Sequence, residues 1–358
     1  MMDNHEHSNK SFLEQTAEEH FDDGQIESDE ANDVPPYVAD YADQIPLYVL
    51  SPSSAVVDAS MFDIAAARLT DYGFEVQFDQ VVDAKVTRFA GTDEQRAAAF
   101  SRAATSDAEV VLASRGGYGI SRILHLIDWD LLAKHPKRYV GYSDFTAFNL
   151  ALLAKTGMSS YTGPAAIPDF GKAEIDDLTA ELFVESMRDE LEILCFEAEG
   201  SDEVDVRGTL WGGNLAMICS LIGTPYMPKI ERGILFIEDV SEHPYRIERM
   251  LWQLWQTGIL ANQQAILLGH FTDYQLVEHD NGFNFDSVIQ WLRTVAGIPV
   301  ITGLPYGHGE VRVTLPIGEE VGLATQNDIA YLVLKEHEHG NEEDVHDHNH
   351  DHVHHEHD

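Results

Sequence analysis

The chain has 358 residues, enough for two domains or one large α/β domain, and 44% of them are apolar, enough for a sizeable core. A formal net charge of −40 would repel phosphate backbones and anionic lipid surfaces, which argues against nucleic acid and membrane as partners. Two cysteines, Cys195 and Cys219, are too few for a disulfide framework; no stretch approaches the roughly 18 continuous apolar residues of a membrane span, and no basic-then-apolar leader opens the chain, so a cytoplasmic protein is expected.

Residues 1–43 read as a disordered acidic arm: the first 35 hold eleven Asp or Glu against a single Lys, and Pro35-Pro36 stands near the end. An N-terminal α/β domain is expected over 44–166. It opens with the apolar strand and Ser/Pro turn "IPLYVLSPSS" (45–54), followed by a helix over 61–74 that Gly73 terminates. "EVQFDQVV" (75–82) alternates as a strand does. Thr92 and Gln95 form a capping box ahead of an Ala-rich helix. "AEVVLAS" (108–114) is a buried-type strand, "RGGYG" a loop, "ISRILHLI" (120–127) a helix, and "RYVGYS" (138–143) a strand that runs into another helix. Strands and helices alternating over short connections imply a parallel, doubly wound sheet, whose ligands bind beyond the carboxyl ends of the strands. Both RGGYG and GYSD lie at such ends.

Residues 167–204 suit a linker with a connecting helix, and 205–335 a β-rich C-terminal domain. Its strands include "GILFIEDV" (233–240), "QAILLGHF" (264–271) and "IPVITGLPYGHG" (298–309), with a closing β segment over 310–334. The helix of residues 245–258 sets Ile247, Met250, Leu251, Leu254 and Trp255 on one face. Residues 336–358 form a second tail, expected to be disordered, with nine histidines and nine acids.

Four features could carry chemistry. Ser143 stands between a strand and the first turn of a helix, where it either caps the helix or presents a hydroxyl next to a favourable dipole. His308, between two glycines in "GLPYGHGE", is the best-placed base; His270 in "LLGHF" competes with it. An apolar strand runs straight into Glu238-Asp239, where a buried carboxylate would need a partner such as imidazole. Gly116 and Gly117 free backbone N–H groups that could hold a phosphate or an oxyanion. Read alone, each feature stays open.

Six stretches, taken in order, resemble the LD-carboxypeptidases, a family of serine peptidases that also includes the microcin C self-immunity peptidases. They are "FAGTDEQRAAAF" (89–100), "SRGGYGISRIL" (114–124), "GYSDFTAFNLALLAKTGMSSYTGP" (141–164), "GTLWGGNLAMICSLIGTPY" (208–226), "GILFIEDVSEHPYRIERMLWQL" (233–254) and "GLPYGHGEVRVTLPIG" (303–318). The resemblance implies a catalytic triad of Ser143, Glu238 and His308. It further implies an oxyanion hole from the N–H of Asp144 and one from Gly116 or Gly117. Tyr118 and Asn214, whose motifs flank the crevice, are candidate substrate contacts. The implied fold is a flavodoxin-like N-terminal domain with a smaller β-rich domain that brings the acid and the base. The implied reaction releases terminal D-alanine from a murein tetrapeptide in cell-wall recycling, in a homodimer, without a metal or organic cofactor.

Both tails depart from the family pattern. His and carboxylate together suit Zn²⁺ or Ni²⁺, so His346, His348, His350 and His352 are candidate metal ligands outside the active site; the plainer reading is a solvated extension. Two further functions compete: an immunity-type peptidase cleaving acyl-aspartyl nucleotide amides, and a non-catalytic metal-buffering or ligand-binding protein. An α/β-hydrolase esterase fits poorly, because Phe145 stands where the second glycine of its nucleophile elbow belongs.

Overall fold

A computed structural model describes residues 43–335. The expected acidic arm (apart from Asp43) and the His-rich tail lie outside the described residues. The N-terminal region alternates as its apolar runs dictate. Strand β1 (Ile45–Leu50) leads to helix α1 (Ser60–Asp71), β2 (Phe74–Phe78), α2 (Asp93–Thr105) and β3 (Val110–Ala113). Helix α3 (Trp129–Lys134), β4 (Arg138–Val140), α4 (Thr146–Thr156) and β5 (Ser160–Thr162) follow. All four residues of β3 are buried, as in a parallel strand covered on both faces. The sheet order β2-β1-β3-β4-β5 is the flavodoxin-like one, with every pair parallel. The capping box of α2 is complete: Thr92 Oγ1 accepts from Gln95 N–H, and Gln95 Oε1 accepts from Thr92 N–H.

The second region begins with α5 (Asp177–Met187), β6 (Ile193–Glu197), β7 (Asp205–Asn214) and α6 (Leu215–Leu221). Then come β8 (Gly233–Val240), α7 (Pro244–Gln256), β9 (Gln263–Thr272), α8 (Phe285–Ala296) and β10 (Val300–Ile301). Strands β11 (Leu315–Ile317), β12 (Glu320–Gln326) and β13 (Ile329–Val333) close the fold. The second sheet has the order β10-β9-β8-β7-β12-β13-β6, parallel from β10 to β7 and antiparallel beyond. Phe100, Phe145 and Phe148 of the first region share one continuous apolar core with Trp211, Phe236 and Ile247 of the second. The two sheets therefore meet through packed side chains.

Several local expectations differ from the structure. "ISRILHLI" forms two 3-10 turns, Ile120–Arg122 and Leu124–Leu126, where a helix was expected. Three β-branched isoleucines weaken helix formation there. Residues 193–197, read as linker, are the edge strand β6. Residues 315–317, read within the C-terminal domain, pair antiparallel with β5 and so extend the first sheet. Past Val300–Ile301 the chain to His308 runs as loop. On α7, Ile247, Leu251 and Leu254 are buried, whereas Trp255 is 42% exposed. Eight residues beyond Ile247, Trp255 has rotated off the apolar stripe, and its indole N–H bonds to Val295 O at 3.2 Å.

Candidate active site

The nucleophile candidate is placed by the end of β4. Ser143 follows Gly141-Tyr142 and adopts φ 62°, the left-handed region that non-glycine residues occupy at a cost of roughly 1–3 kcal/mol. One 3-10 turn, Ser143–Phe145, then feeds α4. Neither turn nor helix has a side-chain cap, so the capping alternative for Ser143 and Asp144 finds no support. The half-buried Ser143 hydroxyl lies 3.1 Å from His308 Nε2. Asp144 turns inward: its Oδ2 accepts from Ser53 Oγ at 2.6 Å and from Ile120 N–H at 3.0 Å. Burial pushes this carboxyl up, against those bonds and the charge of Arg96.

The candidate base, His308, sits on the loop after β10. Glycines flank it for steric reasons. Gly307 has φ 133°, and a Cβ there would come within 3.1 Å of both Glu238 Cβ and Oε2. A Cβ on Gly309 would lie 2.3 Å from His270 Nδ1. His308 Nδ1 is 2.7 Å from Glu238 Oε2, at the end of β8, and the acid is fully buried. A carboxylate facing Nδ1 assigns the proton to that nitrogen, which leaves the Nε2 lone pair toward the Ser143 hydroxyl. His270, the competing histidine, has its buried Nδ1 without a hydrogen-bond partner among the described residues, and burial pulls its pKa down.

Beneath the acid lies a second carboxylate. Asn214 and Glu238 are register partners on β7 and β8, and the Asn214 amide donates to Glu238 Oε1 at 3.2 Å and to Asp239 Oδ1 at 3.0 Å. Asn214 Oδ1 in turn accepts from Met217 N–H at the start of α6. Expected as a substrate contact, Asn214 is 5% exposed and both its amide groups are engaged within the protein. Asp239 also accepts from Ala216 N–H and Val240 N–H, each at 2.9 Å. Burial, with the Glu238 charge adding to it, pushes the Asp239 carboxyl up to about 6 despite these bonds.

The glycine loop closes the other side. A Cβ on Gly116 would stand 2.8 Å from Ser143 Cβ and 3.1 Å from its Oγ, so only glycine lets this backbone approach the hydroxyl. Gly117, at φ 109°, packs on Ser54, whose Oγ accepts from Tyr118 N–H at 3.1 Å. The Tyr118 ring is 45% exposed at the rim. Ser53, Ser54 and the fully buried Arg96, which donates to Pro52 O and Gly119 O, complete the support but escaped the sequence reading. The signal available for them was "SPSS" at the end of β1, a strand adjacent to β3 in this sheet order.

Among the described residues, no group of three or more His, Cys, Asp or Glu is placed to hold a metal ion, and no helix is long and apolar enough to cross a membrane. His346, His348, His350 and His352 lie outside the described residues.

Residues 47–163 match the LD-carboxypeptidase N-terminal domain and residues 207–323 the LD-carboxypeptidase C-terminal domain. The chain is 32% identical over 292 residues to a probable murein peptide carboxypeptidase of Bacillus subtilis (strain 168), covering 79% of this chain and 90% of that one. It is 28% identical over 268 residues to the microcin self-immunity protein MccF of Escherichia coli, covering 66% of this chain and 77% of that one. The crystal structure of muramoyltetrapeptide carboxypeptidase from Oxalobacter formigenes superposes with a TM-score of 0.77 at 43% identity, over 80% of this chain and 97% of that one.

Proposed function

The chain belongs to the LD-carboxypeptidase family of peptidases, and from that premise we propose that it is a serine-type enzyme releasing the terminal D-alanine of a murein tetrapeptide. The observation that carries the reading is the relay from Glu238 Oε2 through the imidazole of His308 to Ser143 Oγ, at 2.7 and 3.1 Å. Ser143 Oγ attacks the carbonyl carbon of the L,D-amide as its proton passes to His308 Nε2. Glu238 holds the ring by Nδ1–H and stabilises the imidazolium. The carbonyl oxygen gains charge facing the N–H of Asp144 and an N–H of the Gly116-Gly117 turn. The C–N bond breaks, His308 protonates the departing amine of D-alanine, and a water activated by the same imidazole hydrolyses the acyl-serine. Asn214 orients the acid from below, and Tyr118 at the rim is a candidate substrate contact.

The murein reading is favoured over the immunity reading by the 43% identity to the muramoyltetrapeptide carboxypeptidase structure, against 25% to a solved structure of MccF superposed in the same way. The test is incubation with an L,D-linked murein tetrapeptide beside a peptidyl-aspartyl nucleotide. Free D-alanine is expected from the first and little turnover of the second, with chelator leaving the yield unchanged. Ser143→Ala should lower kcat roughly 10³-fold or more at an unchanged melting temperature. A fully active alanine variant would end the serine mechanism. Cytoplasmic murein recycling and a homodimer follow from the family resemblance, and light scattering reads the dimer directly. Divalent metal on the His-rich tail would be a separate property, read by titrating the full chain against one ending at Lys335.

A further inference from the structure

Arg312 and Asp169 are buried charges that the mechanism above does not use; each is 3% exposed. Arg312 Nη1 donates to Asp169 Oδ1. Asp169 is itself held, because its other oxygen accepts from Ala165 N–H at 2.8 Å. The guanidinium makes two further contacts. Its Nε donates to Gly307 O at 2.8 Å, and its central carbon lies 3.7 Å above the Tyr142 ring. The Arg312 backbone N–H is also anchored, to Thr179 Oγ1 at 2.9 Å.

Gly307 immediately precedes His308, and Tyr142 immediately precedes Ser143. The first is carried by the loop after β10 of the second sheet, the second by the end of β4 of the first. One planar cation thus touches the residue before the base and the residue before the nucleophile, across the junction of the two sheets. We propose that Arg312 is a positioning residue that sets the separation of His308 Nε2 and Ser143 Oγ, with Asp169 fixing its orientation; this rests on the serine mechanism proposed above. The side-chain chemistry suits that task. A guanidinium can pair with a carboxylate, donate sideways to a carbonyl and stack flat on a ring at once, which an ammonium cannot. A buried ion pair is also a weak source of stability, since apolar replacements of similar volume are often as stable. The position of this pair, touching the neighbours of both Ser143 and His308, suits a geometric role better than a stabilising one.

The experiment uses the full chain with Arg312→Lys, Arg312→Met and Asp169→Asn. Three quantities are measured on each variant: melting temperature, kcat and KM on the tetrapeptide, and the rate at which a fluorophosphonate labels Ser143. In labelling, the Ser143 oxygen bonds phosphorus, fluoride leaves and His308 takes the proton, so the rate reports the Ser–His geometry without the peptide. Arg312→Lys is expected to lose about 10- to 100-fold in kcat with KM within about threefold, and the labelling rate should fall in parallel. Arg312→Met should show the same loss even where its melting temperature matches the wild type, which separates geometry from stability. Should both Arg312 variants fail to fold, Asp169→Asn keeps the guanidinium but weakens the pairing that orients it, and should still slow labelling. Folded variants with wild-type kcat and labelling, or a loss confined to KM, would overturn the proposal. If the wild type is labelled yet cleaves no tetrapeptide, the substrate reading falls while the labelling comparison still decides the role of Arg312. A wild type that resists labelling sinks the serine mechanism and this proposal together.

Discussion

Glu238 and Asp239 are adjacent carboxylates with different surroundings. Glu238 faces the His308 imidazole, whereas Asp239 receives two backbone N–H groups and one amide, with no cation in hydrogen-bond contact among the described residues. With its carboxyl pushed up to about 6 in the folded protein, Asp239 binds its proton more tightly there than in the unfolded chain, where the ordinary value is 3.8. Its contribution to stability is therefore fully present below about pH 4 and is lost as pH rises through about 6. Between about pH 4.5 and 7.5 the difference amounts to about 2 kcal/mol. Asp239→Asn should remove this step, so that urea unfolding at the two pH values shows the variant gaining about that much relative to wild type at the higher pH. An identical pH dependence in both proteins would show that Asp239 titrates normally. The order of the pair could not be assigned from "ED" by composition or periodicity alone. The family resemblance pointed to Glu238, and the register of Asn214 opposite Glu238 explains physically how that side chain is held.

At the scale of elements, the loop 115–119 and helix α4 show how much depends on what a glycine meets. Gly157 ends α4 at φ 73° with open space around it, so Gly157→Ala should cost only the backbone strain, about 1–2 kcal/mol of stability, and leave turnover unchanged. Gly116 has no positive φ, but an added Cβ would meet Ser143 at 2.8 Å. Gly116→Ala should therefore push the loop and Ser143 apart, lowering kcat about 100-fold with a much smaller effect on melting temperature. Comparable activities for the two alanine variants, in steady-state assays, would refute the close approach. Local signals read well at this scale: the Thr92 capping box and the apolar run of β3 needed only their neighbours. The failures came where distant partners decide. The segment that starts at Ile120, tied to the distant Asp144 carboxylate, runs as two 3-10 turns, and β6 forms because β13 offers it an edge.

For the whole molecule, charge is the dominant long-range property. Residues 43–335 alone hold 41 Asp or Glu against 21 Lys or Arg, a net −20, so self-repulsion among their carboxylates is a standing cost of the folded state, and salt screens it over a Debye length of about 10 Å at 0.1 M. The melting temperature should therefore climb as NaCl is raised from about 0.05 to 1 M, and a flat or falling curve in differential scanning calorimetry would contradict this. The arrangement of the two sheets is the other global property. Leu315–Ile317 leaves the C-terminal region to pair with β5, and the shared apolar core binds the sheets together, so the cleft is built by both regions at once.

By itself the sequence determined the class of most segments, the strand-end positions of Ser143 and Glu238, and the glycines that His308 needs on either side. Those are short-range properties, set by apolar runs, turn chemistry and steric size within a few residues. Tertiary structure alone decided the distances. His308 stands 70 residues from Glu238 and 165 from Ser143, and only the order of strands in two sheets brings such positions together. The same is true of Arg312, whose importance cannot be read from its own neighbours, because its contacts at Asp169, Tyr142 and Gly307 exist only once the chain has folded.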